Sequence, residues 1–133
     1  MKVWVNGTFD VLHIGHIRLL EFAHKYGKLR VGVDTDERVR SLKGDSRPFN
    51  TLEDRIRFLE SIKYVDSVVS FGSDEELAEK IQEWETDIMV VGDDYKYKKV
   101  IGAEFAERTL FYPKIENKST SKILNYEKNL GDR

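Results

Sequence analysis

Five short apolar segments alternate with helical segments along this chain of 133 residues. The apolar segments predict strands at residues 1–6, 29–34, 66–71, 87–91 and 109–112. The fourth is almost wholly apolar, which is typical of a strand at the centre of a parallel sheet. Strands that alternate with helices at this rate predict an α/β fold, a doubly wound five-stranded parallel sheet with helices on both faces. With right-handed crossovers we expect the strand order 3-2-1-4-5 and a ligand site between strands one and four.

The helical segments are marked by apolar stripes and by capping residues. Helices are predicted from Ile17 onward and over residues 37–42, 51–62, 73–84, 99–107 and 119–128. Thr51 is the expected N-cap of the third helix, with Asp54 placed as in a capping box. On that helix Arg55, Arg57 and Glu60 are expected to be partly exposed. The whole pattern is that of a Rossmann-like fold.

Charge and composition exclude several classes of function. There are 22 basic and 24 acidic residues, so the net charge of −2 creates no general field that would attract nucleic acid or an anionic membrane. The chain has no cysteine, which excludes disulfides and thiol catalysis and suits a reducing cytosol. No apolar run approaches the roughly 20 residues of a spanning helix, and the N-terminus lacks a signal-peptide pattern. We expect a single cytoplasmic domain over residues 1–133 that binds neither membrane nor nucleic acid.

The first strand passes into the first helix through Gly7-Thr8-Phe9-Asp10 and His13-Ile14-Gly15-His16. At a helix N-terminus, unpaired backbone N–H groups and the helix dipole favour an anion. Two imidazoles three positions apart can both turn toward one bound phosphate, and Gly15 lets the backbone come close without a Cβ. The junction therefore indicates a phosphate site.

Two simpler interpretations compete with the phosphate site. Paired histidines can be half of a zinc site, but the chain has no cysteine and only one other histidine, His24. They can also be ordinary residues of the first helical turn, since the spacing alone recurs by chance.

These residues resemble the signature of the cytidylyltransferase-like nucleotidyltransferases, which transfer a nucleotide from a nucleoside triphosphate to a phosphorylated small molecule. The resemblance continues through residues 43–48, 52–55, 91–96, 100–104 and 113–123, and spans about residues 3–124. The middle of the chain reads very like the bacterial heptose-1-phosphate adenylyltransferase domain. Gly92-Asp93-Asp94 is equally close to glycerol-3-phosphate cytidylyltransferase.

The resemblance implies a role for each matching residue. His13, His16 and Lys43 would be catalytic, by stabilising charge on the phosphates. Nucleotide binding would involve Gly7, Thr8, Phe9, Asp10, Gly15, Asp93, Asp94, Lys114, Ser119, Thr120 and Ser121. Arg47 and Arg55 would face the acceptor. The cofactor would be Mg²⁺, with Asp10 either a ligand of it or an orienting residue of the loop, and the protein would be a homodimer.

Departures from the family pattern affect substrate recognition. Lys114 stands where the cytidylyltransferases have arginine, so the charge is kept and the bidentate fork is lost. Asn117-Lys118 replaces a glycine and an apolar residue, and Ser121 replaces a threonine. The sequence therefore leaves two substrate pairs open, ATP with a sugar 1-phosphate and CTP with glycerol 3-phosphate, and we favour the first.

Two alternatives of another class remain. A catalytically silent nucleotide-binding module would bind a triphosphate without turnover. A dinucleotide-dependent oxidoreductase is disfavoured because the first strand is not followed by a GxGxxG turn.

Overall fold

The computed structural model describes residues 1–92 and 99–113. The strands are β1 (Lys2–Gly7), β2 (Lys28–Asp34), β3 (Ser67–Phe71), β4 (Ile88–Gly92) and β5 (Arg108–Tyr112). The helices are α1 (Ile14–His24), α2 (Asp36–Lys43), α3 (Leu52–Glu60) and α4 (Asp74–Glu83). A short 3₁₀ turn, Ala103–Phe105, precedes β5. The predicted helix at residues 119–128 lies outside the described residues.

The five described strands form one parallel sheet in the order β3-β2-β1-β4-β5, which confirms the predicted topology. The strand β1 lies at the centre, with β2 on one side and β4 on the other. The winding direction reverses at β1, so a crevice opens at the carboxyl ends of β1 and β4. This reversal positions the site described below.

Two apolar cores cover the two faces of the sheet. On one face Val3, Val5 and Val31 pack with Leu20 of α1 and Leu59 of α3. On the other face Trp4, Phe71 and Met89 pack with residues of α4. Leu77, Ile81 and Trp84 share the buried side of the α4 segment. Alternate residues of β1 therefore serve opposite cores, as the period of a strand requires.

Side-chain caps begin the helices that follow the strands and loops. Thr51 Oγ accepts the N–H of Asp54 at the start of α3, as predicted, and Ser73 Oγ accepts that of Glu76 at the start of α4. Thr35 Oγ accepts the N–H of Arg38 and so caps α2. Each cap satisfies one of the N–H groups that a helix leaves without an intrahelical partner.

The predicted helix over residues 99–107 is wrong, because this segment holds only the 3₁₀ turn. Gly102 has φ +83, a left-handed conformation that ends regular helix geometry, and a Cβ at this position would lie 2.4 Å from Cδ1 of Ile81. The close approach of Gly102 to α4 therefore determines the local conformation, and the apolar pattern that predicts a helix does not.

The expected partial exposure of Arg55 is also wrong, because the side chain is 0% exposed. It lies on the buried side of α3 together with Leu59. In the part of the chain that the structure describes, no helix has both the length and the apolar character that crossing a bilayer requires.

Candidate active site

A cavity of about 390 Å³ opens at the carboxyl ends of β1, β2 and β4. Its polar and charged lining residues are Asn6, Thr8, Asp10, His16, Asp34, Arg38, Lys43, Arg47 and Lys99. Gly7, Phe9 and Gly92 also line it. The sheet thus brings together, in one cavity, residues from the first half of the chain and from the end of β4.

The two histidines of the β1–α1 junction close the N-terminus of α1 through their own side chains. His13 is the N-cap, and its Nδ1 accepts the N–H of Gly15 at 3.0 Å. His16 Nδ1 accepts the backbone N–H of His13 at 3.2 Å. The ring centroids of the two histidines lie 4.0 Å apart. This is a capping box in which imidazole nitrogens replace the usual oxygen atoms.

These hydrogen bonds define the protonation of both imidazoles. A nitrogen that accepts an N–H carries no proton of its own, so each neutral ring holds its proton on Nε2. Both rings are therefore hydrogen-bond donors through Nε2 rather than acceptors. Burial, followed by the neighbouring His13 and the ammonium of Lys43, lowers the pKa of His16 from 6.5 to about 4. Near neutral pH, His16 is an uncharged donor.

Phe9 lies at the β1–α1 junction, next to His16. It is 5% exposed, and its φ of 52° lies in the left-handed region that residues with side chains rarely adopt. Its ring meets the ring of His16 edge to face at a centroid distance of 5.4 Å. Backbone strain of this kind clusters at functional sites, where the surrounding structure holds it in place.

Two cations from the region after β2 line the same cavity. Lys43 is the last residue of α2, and Arg47 follows it in the loop before α3. The Cζ atom of Arg47 lies 4.7 Å from the centre of the ring of Phe49, an arrangement that orients its guanidinium. With His16 they form a set of cations and N–H donors suited to phosphate oxygens.

A second polar group, Thr8, Asp34 and Arg38, borders the cavity on the β2 side. Thr8 Oγ donates to Asp34 Oδ2 at 3.1 Å, and Arg38 Nε donates to Asp34 Oδ1 at 2.8 Å. Arg38 Nη2 donates to Asp74 Oδ1 at 2.6 Å. Burial works to lower the pKa of Arg38, but the bonds to Asp74 and Asp34 outweigh it and raise that pKa. The guanidinium is charged and fixed in orientation.

Asp34 and Arg38 were not among the sequence-predicted site residues. Their sequence signal is nevertheless present: they stand four positions apart across the junction of a strand and a helix, the spacing of a helical ion pair. The partner Asp74 belongs to α4, and local spacing contains no sign of that contact.

Asp10 orients the loop that precedes α3. It is 5% exposed, and its two carboxylate oxygens accept the backbone N–H groups of Phe49 and Asn50, each at 2.8 Å. The amide nitrogen of Asn50 donates in return to the main-chain oxygen of Asp10. Of the two roles implied for Asp10, this geometry corresponds to the orienting one.

The buried guanidinium of Arg55 joins three loops around the cavity. It donates to the main-chain oxygens of Thr8 at 2.9 Å, Asp34 at 2.8 Å and Asn50 at 3.0 Å, and to the carboxylate of Asp36 at 2.7 Å. The side chain is 0% exposed, and through these hydrogen bonds it holds the ends of β1 and β2 together. The structure therefore places Arg55 beneath the cavity, where we interpret it as a support of the site.

The structure brings together most of the sequence-predicted site residues that it describes. Gly7, Thr8, Phe9, Asp10, His16, Lys43 and Arg47 line the cavity, with His13 and Gly15 in the adjoining helix turn. The predicted nucleotide contacts Asp93, Asp94, Lys114, Ser119, Thr120 and Ser121 lie outside the described residues.

The described residues do not form a ligand set for a metal ion. No group of three or more histidine, aspartate or glutamate side chains is arranged to hold one within residues 1–92 and 99–113. The carboxylates of Asp10 and Asp34 line the cavity but already accept hydrogen bonds from Phe49, Asn50, Thr8 and Arg38.

Comparison with known proteins extends the sequence resemblance. The family model described as cytidylyltransferase-like matches residues 4–124. The bifunctional protein HldE of Campylobacter fetus subsp. fetus is 44% identical over 124 residues, which are 92% of this chain and 27% of the relative. HldE of Helicobacter hepaticus is 43% identical over 123 residues, 92% of this chain and 25% of the relative. The chain thus spans about a quarter of the length of these curated relatives.

Solved structures share the fold. The lipopolysaccharide core biosynthesis protein from Thermoplasma volcanium GSS1 has a TM-score of 0.66 and 25% sequence identity, and the match covers 86% of this chain and 95% of that one. A protein of unknown function from Archaeoglobus fulgidus has a TM-score of 0.66 at 20% identity, with 84% and 89% covered, and shows the fold alone.

Proposed function

The chain belongs to the cytidylyltransferase-like family, and from that premise we propose that it transfers a nucleoside monophosphate from a nucleoside triphosphate to a phosphorylated sugar or polyol. The observation that carries the proposal is the convergence of His16, Lys43 and Arg47 on one cavity at the β1–α1 junction. This cavity lies where the winding direction of the parallel sheet reverses, the place at which such folds bind ligands.

The reaction needs positioned charge more than covalent help. A phosphate oxygen of the acceptor attacks the α-phosphorus in line and forms a new P–O bond. The bond from that phosphorus to the bridging oxygen of the β-phosphate breaks, and pyrophosphate leaves with the electron pair. No covalent intermediate on the enzyme is required. The protein's task is to align the two phosphates and to stabilise the negative charge that spreads over the transferring group.

We assign the charge-stabilising work to three side chains. His13 and His16 would donate through Nε2, and their Nδ1 bonds to the backbone hold the rings in place. Lys43 supplies a full positive charge next to His16, close enough to lower the pKa of that residue. Because the two imidazoles are held before the substrate arrives, they need no rearrangement during the reaction.

Mg²⁺ would enter as the complex of the triphosphate, because the described residues offer no ligand set of their own. Bound there, the ion would neutralise charge on the phosphates and on the departing pyrophosphate. Asp10 then serves the site by holding the loop of Phe49 and Asn50.

We further propose that the transferred group is adenylyl and that the acceptor is a heptose 1-phosphate. Support comes from the identity of 43–44% to two bifunctional HldE proteins across 92% of this chain. It also comes from residues 43–48 and 52–55, which resemble the heptose-1-phosphate adenylyltransferase domain. Gly92-Asp93-Asp94 is the feature that favours CTP and glycerol 3-phosphate instead, so both substrate pairs belong in the test.

Pyrophosphate release tests the proposal directly. The purified protein is incubated with Mg²⁺, with ATP or CTP, and with a heptose 1-phosphate or glycerol 3-phosphate. We expect release with ATP and the heptose 1-phosphate, and a fall in kcat of about 10²–10³ in His16→Gln, the loss usual for one transition-state donor. The matched control is His24→Gln, because His24 lies at the end of α1 away from the cavity.

Other outcomes would contradict the proposal in different ways. Release with CTP and glycerol 3-phosphate alone would establish the alternative substrate pair. Binding of a triphosphate, seen as a thermal shift, without release for any pair would identify a silent nucleotide-binding module.

We also propose that the protein acts in the cytoplasm as a homodimer. The triphosphate substrate and the absence of cysteine suit the cytoplasm, and the family resemblance suggests the dimer. Light scattering on the purified protein should give twice the mass of 15.5 kDa.

A further inference from the structure

We propose that Arg38, held between Asp34 and Asp74, recognises the hydroxyl groups of the acceptor and so determines which phosphorylated sugar or polyol the protein takes. The inference rests on the proposed function, because it assigns one part of the cavity to the acceptor of that reaction. Its basis is a set of contacts that neither the resemblance nor the comparisons point to.

Arg38 is held in one orientation from three directions. Its Nε donates to Asp34 at 2.8 Å and its Nη2 donates to Asp74 at 2.6 Å. Its Cζ atom lies 5.4 Å from the centre of the ring of Phe71. The side chain is only 15% exposed and lines the cavity. Charge-assisted bonds to two carboxylates are strong enough to fix a side chain that would otherwise have many rotamers.

The fixed guanidinium keeps donor capacity for a ligand. Within the part of the chain that the structure describes, nothing accepts a hydrogen bond from Nη1 of Arg38. Asp34 accepts one bond on each carboxylate oxygen, from Thr8 and from Arg38, and each oxygen can accept a second. Donors and acceptors therefore lie side by side, which is what a hydroxyl group needs because it both donates and accepts.

The charge of this subsite separates it from the phosphate end of the cavity. One guanidinium between two carboxylates leaves a net charge of −1, which does not attract a phosphate. The cationic lining residues Lys43 and Arg47 lie farther along the chain, at and after the end of α2. Arg38 and Lys43 are five positions apart on this helix, which is about 7.5 Å at the usual rise. A monosaccharide phosphate can span that separation.

The sheet order places this subsite on the acceptor side. The strand β2 and the helix α2 lie on one side of β1, whereas β4 and β5 lie on the other. Of the predicted nucleotide contacts, Asp93 and Asp94 follow β4 along the chain, and Lys114, Ser119, Thr120 and Ser121 follow β5. Arg38 and Asp34 border the cavity from the β2 side, so the nucleotide and the acceptor would approach the histidines from opposite directions, as in-line attack requires.

The test measures acceptor binding by isothermal titration. A heptose 1-phosphate, glycerol 3-phosphate and inorganic phosphate are each titrated into the protein in the presence of α,β-methylene ATP, which cannot be cleaved at the α-phosphorus. We expect the wild-type protein to bind the heptose 1-phosphate at least ten-fold more tightly than inorganic phosphate. Arg38→Met should lose about ten-fold in affinity for the heptose 1-phosphate and leave that for inorganic phosphate unchanged.

Three further variants separate recognition from stability. Asp74→Asn should weaken heptose 1-phosphate binding by a smaller factor, because Asp74 orients Arg38 from an exposed position. Arg38→Lys should recover part of the loss, since it keeps the charge but not the fork. Arg40→Met is the matched control, because Arg40 is an exposed arginine of the same helix and should change neither affinity.

Several results would overturn the assignment. The wild-type protein would bind the heptose 1-phosphate no more tightly than inorganic phosphate, or Arg38→Met would bind it as the wild type does. An equal loss for inorganic phosphate would make Arg38 a phosphate ligand instead. Pyrophosphate release is measured in parallel. Selective binding of the heptose 1-phosphate without any release would refute the proposed transferase activity and leave the Arg38 subsite standing. Release in which the acceptor KM of Arg38→Met equals that of the wild type would refute the subsite and leave the activity standing.

Discussion

His16 Nδ1 lies 3.2 Å from the backbone nitrogen of His13 and accepts its N–H, so a candidate catalytic side chain also caps the helix that carries it. The bond uses Nδ1, at the edge of the ring that is turned toward the backbone, and leaves the proton on Nε2. A single arrangement therefore satisfies the start of α1 and supplies a donor to the cavity. The bond that caps α1 is thus also the bond that orients the candidate catalytic donor.

Stability should fall on acidification because of His16. In the unfolded chain its pKa is near 6.5, whereas in the folded protein it is about 4, so the unfolded state binds more protons between these values. The contribution of His16 is present above pH 6.5 and is lost as the pH falls toward 4. The expected loss is on the order of 3 kcal/mol. Urea unfolding at intervals between pH 7 and pH 4.5 measures most of it.

A non-titrating variant identifies the source of this pH dependence. His16→Gln keeps an acceptor at the capping-box position but cannot take up a proton in this range. It should flatten the stability curve between pH 4.5 and 6.5, while the fall attributed to His16 should persist in the control variant His24→Gln. Equal slopes in the wild type and in His16→Gln would show that other groups cause the acid sensitivity.

Asp10→Asn should impair the site without changing the proposed requirement for Mg²⁺. The amide keeps one oxygen for the two N–H groups of Phe49 and Asn50, so one donor loses its partner at a cost of about 1–3 kcal/mol. We expect a higher acceptor KM and a lower melting temperature. Titration of activity with Mg²⁺ should give the same half-saturating concentration as the wild type, and a large increase would instead make Asp10 a metal ligand.

Arg55→Met should be strongly destabilising. The substitution leaves the main-chain oxygens of Thr8, Asp34 and Asn50 without their donor and the carboxylate of Asp36 without its partner. Loss of the buried partner of this partly buried ion pair, together with its three main-chain hydrogen bonds, should cost on the order of 3–5 kcal/mol. Denaturant unfolding measures it. The control Arg57→Met removes an exposed arginine of α3 and should cost less than about 0.5 kcal/mol.

Gly32→Ala tests the packing on the face of the sheet that α4 covers. A Cβ at Gly32 would lie 2.4 Å from Cζ2 of Trp4, a fully buried side chain, and 3.3 Å from Cε1 of Phe71. Overpacking of this kind costs about 1–3 kcal/mol. Gly72→Ala is the control, because its Cβ would come no closer than 3.5 Å to the nearest atom. Similar melting temperatures for the two variants would show that Trp4 moves aside freely.

Patterns in the sequence were enough to predict most of the secondary structure and the topology of the sheet. Strand periodicity and the alternation with helices predicted the order β3-β2-β1-β4-β5, because few topologies remain once crossovers must be right-handed. The segment at residues 99–107 is the exception. Its apolar residues suggested a helix, but the contact of Gly102 with Ile81 determines its conformation, and that contact joins parts of the chain that are distant in sequence.

The sequence by itself determined the fold class and the strand order, through the alternation of strands and helices and the handedness of crossovers, and it determined the strand–helix junction that holds His13 and His16 through a local motif. Only the tertiary structure decided what the charged side chains do. Arg55 stands three residues after Leu52 and four before Leu59, a position on the inward face of α3, yet its charge suggested exposure. Its burial depends on Asp36, 19 positions away, and the orientation of Arg38 depends on Asp74, 36 positions away. Ion pairs and hydrogen bonds at such separations form only when the sheet brings the partners together, and no local pattern encodes them.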